Sequence, residues 1–179
     1  MRVALLTPDQ HESMVDLLCE LNAYYHEADP ASREAVCDHF FRNLIAPASP
    51  LLLAAATGEN GKVLGFAAFF FVHSLVEPNP ERSRQCTLKE LFVSAAARSR
   101  GVGKAIVSWV ARHALEHGCC RIDWPVNAAN HRGIAFYEGL GAERQVERIS
   151  HRLSGESMSR LANEAAVRGS VADPSIGQA

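Results

Sequence analysis

Residues 91 to 118 read LFVSAAARSRGVGKAIVSWVARHALEHG, and this stretch decides the predicted fold. It begins as the end of an apolar strand, passes through a turn that holds Gly101 and Gly103, and continues as an amphipathic helix. Glycines at a strand-to-helix turn let backbone N–H groups approach a ligand closely, at the positive end of the helix dipole. Three basic side chains flank the turn: Arg98, Arg100 and Lys104. The stretch therefore predicts a phosphate-binding turn.

The segments around this turn alternate between helical and extended patterns. Strands are predicted at Val3–Leu6, Leu51–Ala56, Val63–Val72, Cys86–Val93 and Arg121–Val126, with one bent or two short strands in Ala142–Leu153. Helices are predicted after Thr7, after Asp29, at Val102–His117, at Gly133–Glu138 and from Ser154 through Ala162. This order predicts one α/β (α+β) domain over residues 1–162, with a mixed, mostly antiparallel sheet flanked by helices. Residues 163–179 are rich in small and polar residues and predict a flexible tail.

Composition excludes several classes of protein. Hydrophobic residues make up 47% of the 179 residues and the net charge is −2, so neither a disordered chain nor a strongly basic nucleic-acid binder is expected. No apolar run is as long as a membrane span, and Pro8 and Asp9 interrupt any signal peptide, so we expect a soluble cytoplasmic protein. The five cysteines lack the spacing of a zinc module, and no metal site is expected.

Three motifs at matching intervals carry a resemblance. They are the Arg-x-x-Gly-x-Gly turn at Arg98–Gly103, the Val-x-x-x-Asn strand end at Val126–Asn130, and the Phe-Tyr-x-x-x-Gly-Ala segment at Phe136–Ala142. With these motifs the sequence resembles the GCN5-related N-acetyltransferase (GNAT) family over about residues 3–161. Its pattern is most similar to the diamine (spermidine/spermine) acetyltransferase branch. The resemblance implies transfer of acetyl from acetyl-CoA directly to an amine, and it implies a homodimer.

The resemblance also implies where the cofactor binds. The pyrophosphate of acetyl-CoA would lie on the backbone from Arg98 through Lys104, which includes Ser99, Arg100, Gly101, Val102 and Gly103. The pantetheine arm would pair with Phe92 and Val93 in the manner of a strand, and a backbone N–H at that strand end would polarise the thioester oxygen. Asn130 would hold the pantetheine or the neighbouring helix. An N-cap of the following helix explains Asn130 equally well.

Two residues are expected to move protons. Tyr137, in the third motif, is the expected general acid, because a phenol of ordinary pKa about 10 stays protonated at neutral pH and can protonate a leaving thiolate. Without the motif, Tyr137 would be taken as a core aromatic. Glu90, on the strand before the turn, is the expected general base, acting through a water molecule. It is equally explained as an exposed partner of Lys89 or Arg121, and His26 and Asp123 are weaker candidates for the base.

The acceptor site departs from the diamine branch. Where that branch carries two acidic residues, this chain has Tyr25 and Lys89, and a lysine there would repel a polyamine. Tyr24, Tyr25, Trp124 and Pro125 predict aromatic walls for a small amine or an amino-acid-like acceptor, or else they only fill the core or a dimer contact. A protein or peptide acetyltransferase is the alternative function, with the loop Glu77–Arg84 lining an open groove. A non-catalytic acetyl-CoA-binding domain is the third reading, and neither nucleic acid nor membrane is an expected partner.

Overall fold

The structure is a computed structural model that describes residues 1 to 170, and it contains two compact units that divide after Leu140. The strands are β1 (Arg2–Leu5), β2 (Leu52–Thr57), β3 (Val63–His73), β4 (Arg84–Val93) and β5 (Ile122–Asp123). The helices are α1 (His11–Tyr25), α2 (Arg33–His39), α3 (Pro80–Ser83), α4 (Val102–Glu116), α5 (His131–Glu138) and α6 (Gly155–Ser170). All of these except α6 belong to the first unit.

The first unit is built on one sheet of five strands in sequence order, β1 to β5. Neighbouring strands are antiparallel from β1 to β4, and β5 is parallel to β4. A turn at residues 58–62 joins β2 to β3, and Gly61 has a φ of 78°, a left-handed conformation that glycine adopts without strain. The mixed, mostly antiparallel sheet flanked by helices confirms the predicted fold.

Helices cover both faces of this sheet because the strands are apolar on both sides. On one face α1 and α2 pack against β2 and β3, and Met14, Phe40 and Phe66 are almost completely buried there. On the other face α4 packs against the same strands through Ile106 and Val110. The strand residues therefore alternate between two cores, and the end of β4 lies between them.

A β-bulge interrupts β4 at Lys89. Ala68 of β3 pairs with Glu90, but the next residue, Phe69, pairs with Leu88, so Lys89 is an extra residue without a partner in the ladder. The bulge changes the alternation along β4: Leu88 and Leu91, three positions apart, both contact the core beneath α4. Glu90, opposite Ala68, consequently lies on the α1 side of the sheet.

The structure differs from the sequence prediction at several boundaries. Strand β5 spans only Ile122–Asp123 instead of Arg121–Val126, and a short helix, α3, lies in the segment predicted as a polar loop. In the second unit, the described residues 142–153 contain no strand, so the strands predicted there are wrong. Helix α6 continues to Ser170, eight residues beyond the predicted end at Ala162. The remainder of the predicted tail, residues 171–179, lies outside the described residues.

Candidate functional site

A cavity of about 700 Å³ opens in the first unit where β4 and β5 separate. The two strands pair only at Cys86–Ile122 and Thr87–Asp123. Beyond these pairs, residues 88–93 of β4 form one wall and residues 124–127 form the opposite wall. The first turn of α4, the helix α5 and the last residues of α1 close the remaining sides. A cleft at the carboxyl ends of parallel strands is a common place for a ligand site in α/β proteins.

One end of the cleft, which we call the glycine-turn end, consists of Ser99, Gly101–Lys104 and Arg132. Gly101 has a φ of 79°, and a Cβ added there would meet no atom within 4 Å. The first hydrogen bond of α4 runs from Ala105 N–H to the Gly101 carbonyl, so the N–H groups of residues 102–104 precede the helical ladder. This end of the cleft therefore presents backbone donors at the positive end of a 15-residue helix.

The arginine side chains near this end lie in different surroundings. The Arg98 Nε donates to the Val93 carbonyl at 3.0 Å, and its guanidinium lies over the rings of Tyr24 and Phe92. The Arg98 side chain therefore contacts the end of β4. Arg100 does not line the cavity. Arg132, which sequence reasoning did not select, lines the cavity and donates to Ser99 Oγ at 3.0 Å. Its position two residues after Asn130, in the first turn of α5, was the available signal.

The other end, which we call the acceptor end, brings together Tyr25, Lys89, Glu90, Trp124 and Tyr137. The rings of Trp124 and Tyr137 have centroids 5.0 Å apart. Tyr25 ends α1 and keeps 62% of its surface exposed, so this end opens to solvent beside it. Residues from four separate elements or loops thus meet at the point where the parallel pairing stops.

The environment at the acceptor end changes the acidity of three groups. Burial, followed by the neighbouring Glu90 charge and Tyr25, raises the pKa of Tyr137 to about 12. Burial also raises the pKa of Glu90, against opposing effects of a hydrogen bond from the Leu91 backbone and of the Lys89 charge. Burial and the Glu90 charge raise the pKa of Tyr25. A carboxylate that holds protons more tightly and a phenol that stays protonated are suited to accept and donate protons, respectively.

Asn130 serves as the N-cap of α5. Its Oδ1 accepts a hydrogen bond from Gly133 N–H at 2.8 Å, and the residue also lines the cavity. A Cβ added at Gly133 would lie 2.6 Å from the Asn130 Nδ2, so glycine is needed for the cap. The cap fixes the start of the helix that carries Tyr137.

The other candidate bases lie elsewhere. Asp123 accepts from Arg121 Nε at 2.7 Å, and His26 lines a separate, smaller cavity between α1 and α2. Glu20, at the end of α1, accepts from the Ala95 N–H at 2.6 Å. Within residues 1–170, no group of three His, Cys, Asp or Glu side chains is arranged to hold a metal ion.

Apart from Arg100 and the weaker base candidates His26 and Asp123, the residues selected from the sequence all border this one cavity. At the acceptor end these are Tyr24, Tyr25, Lys89, Glu90, Trp124, Pro125 and Tyr137; along the strand and the turn they are Phe92, Val93, Arg98, Ser99, Gly101, Val102, Gly103, Lys104 and Asn130. None of the helices within the described part of the chain combines the length and apolar character that a membrane crossing needs.

Comparisons with known proteins point to acetyltransferases. Residues 14–142 match the acetyltransferase (GNAT) family. Thialysine N-epsilon-acetyltransferase from Mus musculus is 29% identical over 126 residues, which cover 69% of this chain and 69% of that protein. L-ornithine N5-acetyltransferase from Arabidopsis thaliana is 29% identical over 99 residues, which cover 55% of this chain and 42% of that protein.

A solved structure is also similar over most of the chain. The integron cassette protein from the mobile metagenome of V. cholerae superposes with a TM-score of 0.79 and 28% identity, and the match covers 90% of this chain and 96% of that one. Most of this chain therefore has a counterpart of known structure.

Proposed function

Because this chain belongs to the acetyltransferase (GNAT) family, we propose that it transfers the acetyl group of acetyl-CoA directly to a primary amine of a small, amino-acid-like acceptor. The family and the N-acetyltransferases similar to this chain make it an acetyl-CoA-dependent N-acetyltransferase. The size and kind of the acceptor are the proposed part. Thialysine and ornithine, the acceptors named for two similar proteins, are both amino acids with an amine in the side chain.

One observation carries the proposal: a carboxylate and a phenol that are both partly buried, Glu90 and Tyr137, border the same cavity beside the end of the parallel pairing. The Glu90 charge contributes to the raised pKa of Tyr137, so the two groups lie in one electrostatic environment. Acetyl transfer to an amine needs a proton removed from the nitrogen and a proton supplied to the sulfur. The two groups match those two tasks.

The residues of the glycine-turn end fit the pyrophosphate of acetyl-CoA. The N–H groups of residues 102–104 point away from any intrahelical acceptor, and Lys104 and Arg132 supply positive charge beside them. The β4 edge at Phe92 and Val93 faces the cavity, where a backbone-like pantetheine amide would pair. When bound, acetyl-CoA supplies an activated acyl group in the form of a thioester.

Glu90 would accept a proton from the ammonium form of the acceptor, directly or through a water molecule. The neutral nitrogen would then attack the thioester carbonyl carbon as the carbon–sulfur bond breaks, and the second proton lost by that nitrogen would pass to solvent, from which the Tyr137 phenolate regains a proton. Tyr137, whose pKa of about 12 keeps the phenol protonated at neutral pH, would donate its phenolic proton to the sulfur as negative charge develops there. Trp124 packs against the Tyr137 ring and restricts its orientation.

The test is an acceptor panel with the purified full chain and acetyl-CoA, with free thiol and N-acetylated product measured in parallel. The panel holds amino acids, polyamines, aminoglycosides and short peptides. We expect equal amounts of thiol and acetylated product with small amino acids. Calorimetric binding of acetyl-CoA without thiol release from any amine would contradict the proposal and favour a non-catalytic binding domain. Transfer to peptides alone would favour the protein acetyltransferase. Homodimerisation and cytoplasmic location stay predictions from the sequence.

A further inference from the structure

The acceptor end of the cleft carries an unpaired positive charge beside its carboxylate. Lys89 occupies the bulge of β4, its side chain is exposed, and it borders the same cavity as Glu90. Within the described residues, Lys89 has no ion pair within 4 Å. A regular strand would direct neighbouring side chains to opposite faces, whereas the bulge lets both residues border one cavity.

Acidic groups that would attract a second cation are absent from the described cavity wall. Glu90 is the only carboxylate among the residues that line it. Glu20 is engaged by the Ala95 N–H, and Asp123 is engaged by Arg121. A diamine would therefore bring one ammonium to Glu90 and leave the other near Lys89, where like charges repel.

An acceptor with a carboxylate replaces this repulsion between two cations by an attraction. Its carboxylate would meet the Lys89 ammonium, which can form charge-assisted hydrogen bonds, while its amine lies near Glu90. The methylene chain between the two groups would contact the aromatic rings of Tyr25 and Trp124, which line the same end.

Resting on the proposed function, we infer that Lys89 is the carboxylate-binding residue of the acceptor site and selects small amino acids over the corresponding diamines. Lys89 accordingly sets which acceptor binds and takes no part in proton transfer.

Matched acceptors test this selection. L-ornithine, its methyl ester and putrescine share a side-chain amine, and only ornithine has a free carboxylate; lysine, its methyl ester and cadaverine form a second set. For wild-type protein we expect kcat/KM to be at least about tenfold higher for the amino acids than for the esters or diamines, since a charge-assisted contact is worth roughly that much. A preference for the diamines in both sets would overturn the inference and leave acetyl transfer intact.

Substitutions at Lys89 test whether this residue causes the preference for amino acids over diamines. In Lys89→Met we expect KM for the amino acids to rise about 10- to 100-fold with kcat nearly unchanged, while kcat/KM for the diamines rises because the repulsion is removed. Lys89→Glu should reverse the preference and Lys89→Arg should keep it. Lys62→Met, at an exposed lysine of the β2–β3 turn, is the matched control, and it should change the kinetic constants neither for the amino acids nor for the diamines. Equal losses for amino acids and diamines in Lys89→Met would overturn the inference.

A binding measurement separates the two proposals. Calorimetry with N5-acetylornithine, without any cofactor, should show weaker binding to Lys89→Met than to wild type by about the same factor as the KM change. Equal binding to both proteins would overturn the role of Lys89. Absence of thiol release with every amine would instead overturn the proposed function, and the inference with it.

Discussion

The two ends of the cleft differ in the groups that form them: one consists mainly of backbone atoms and the other of side chains. The glycine-turn end is made mostly of backbone, namely a left-handed glycine and the first N–H groups of a helix, within one continuous segment. The acceptor end is made of side chains from α1, β4, α5 and the segment after β5, and its chemistry depends on how deeply those side chains are buried. Backbone geometry is set by local sequence, whereas burial is set by distant packing. Substitutions at the glycine-turn end should therefore change mainly KM for acetyl-CoA, and substitutions at the acceptor end should change mainly kcat or the constants for the acceptor.

The largest expected effect is at the acceptor end, in Tyr137→Phe. Loss of the phenolic proton should lower kcat about 10²- to 10⁴-fold at neutral pH, with KM for acetyl-CoA nearly unchanged. The ring and its contact with Trp124 remain, so the melting temperature should stay close to that of wild type. Steady-state thiol release measures the effect, and undiminished kcat would assign the general acid to another group.

Glu90→Gln should alter the pH dependence of the reaction as well as its rate. The ammonium form of the acceptor binds and Glu90 deprotonates it, so wild-type kcat/KM should fall with a logarithmic slope of about 1 below the raised pKa of Glu90 and stay level above it. In Glu90→Gln only the neutral amine reacts, so kcat/KM should rise with a slope of about 1 across the neutral range, and the rate near neutrality falls roughly 100-fold. Glu59→Gln, at an exposed turn residue, should retain the wild-type profile. A slope that is the same in all three proteins would exclude Glu90 as the base.

At the glycine-turn end, Gly103→Val should raise KM for acetyl-CoA about tenfold and leave KM for the acceptor unchanged. A Cβ at this position would lie 3.3 Å from the Phe136 ring, and the branched side chain would cover the backbone donors. Gly58→Val, in the β2–β3 turn, controls for the general cost of replacing a glycine. An equal change in both KM values would show that the two ends are not independent.

The smallest expected effect is on stability. Because the pKa of Glu90 is raised in the folded protein, folding binds a proton more tightly there, and the stabilisation is lost as pH rises through that pKa. Gln mimics the neutral acid, so Glu90→Gln should melt about 1 to 3 °C higher than wild type at pH 8. The difference should vanish below about pH 4, where the wild-type carboxyl is protonated in both states. Calorimetric melting curves of both proteins at the two pH values measure this difference. A lower melting temperature for Glu90→Gln than for wild type at pH 8 would contradict the destabilisation of the Glu90 carboxylate by burial.

The same contrast explains how much the sequence predicts. The turn at Gly101 and Gly103, the strand end and the Tyr137 helix were predicted because each is a local pattern. Arg132 was missed because its contact with Ser99 joins two segments 33 residues apart. The bulge at Lys89 was also missed, because register is a property of the β3–β4 pair and not of β4 alone.

The wrong predictions have equally physical reasons. Residues 142–153 were read as extended, yet Val146, Ile149 and Leu153 are spaced by three and four positions, which lacks the alternation of a strand. The β5 prediction was too long because Pro125 cannot donate to a ladder, and the described pairing ends before it. Helix α6 extends past Ala162 because residues 163–169, NEAAVRG, hold no proline and only one glycine, at the far end.

The bulge in β4 also bears on how readily such a protein can change by mutation. Lys89 contributes no ladder pair and its side chain is exposed, so most replacements there should leave folding intact. Glu90, its neighbour, is paired with Ala68 and partly buried, and it tolerates far less. One strand thus places a freely variable position directly beside a constrained one. With the roles proposed for these two residues, single substitutions at Lys89 would change the acceptor preference and leave the proton transfer by Glu90 unchanged.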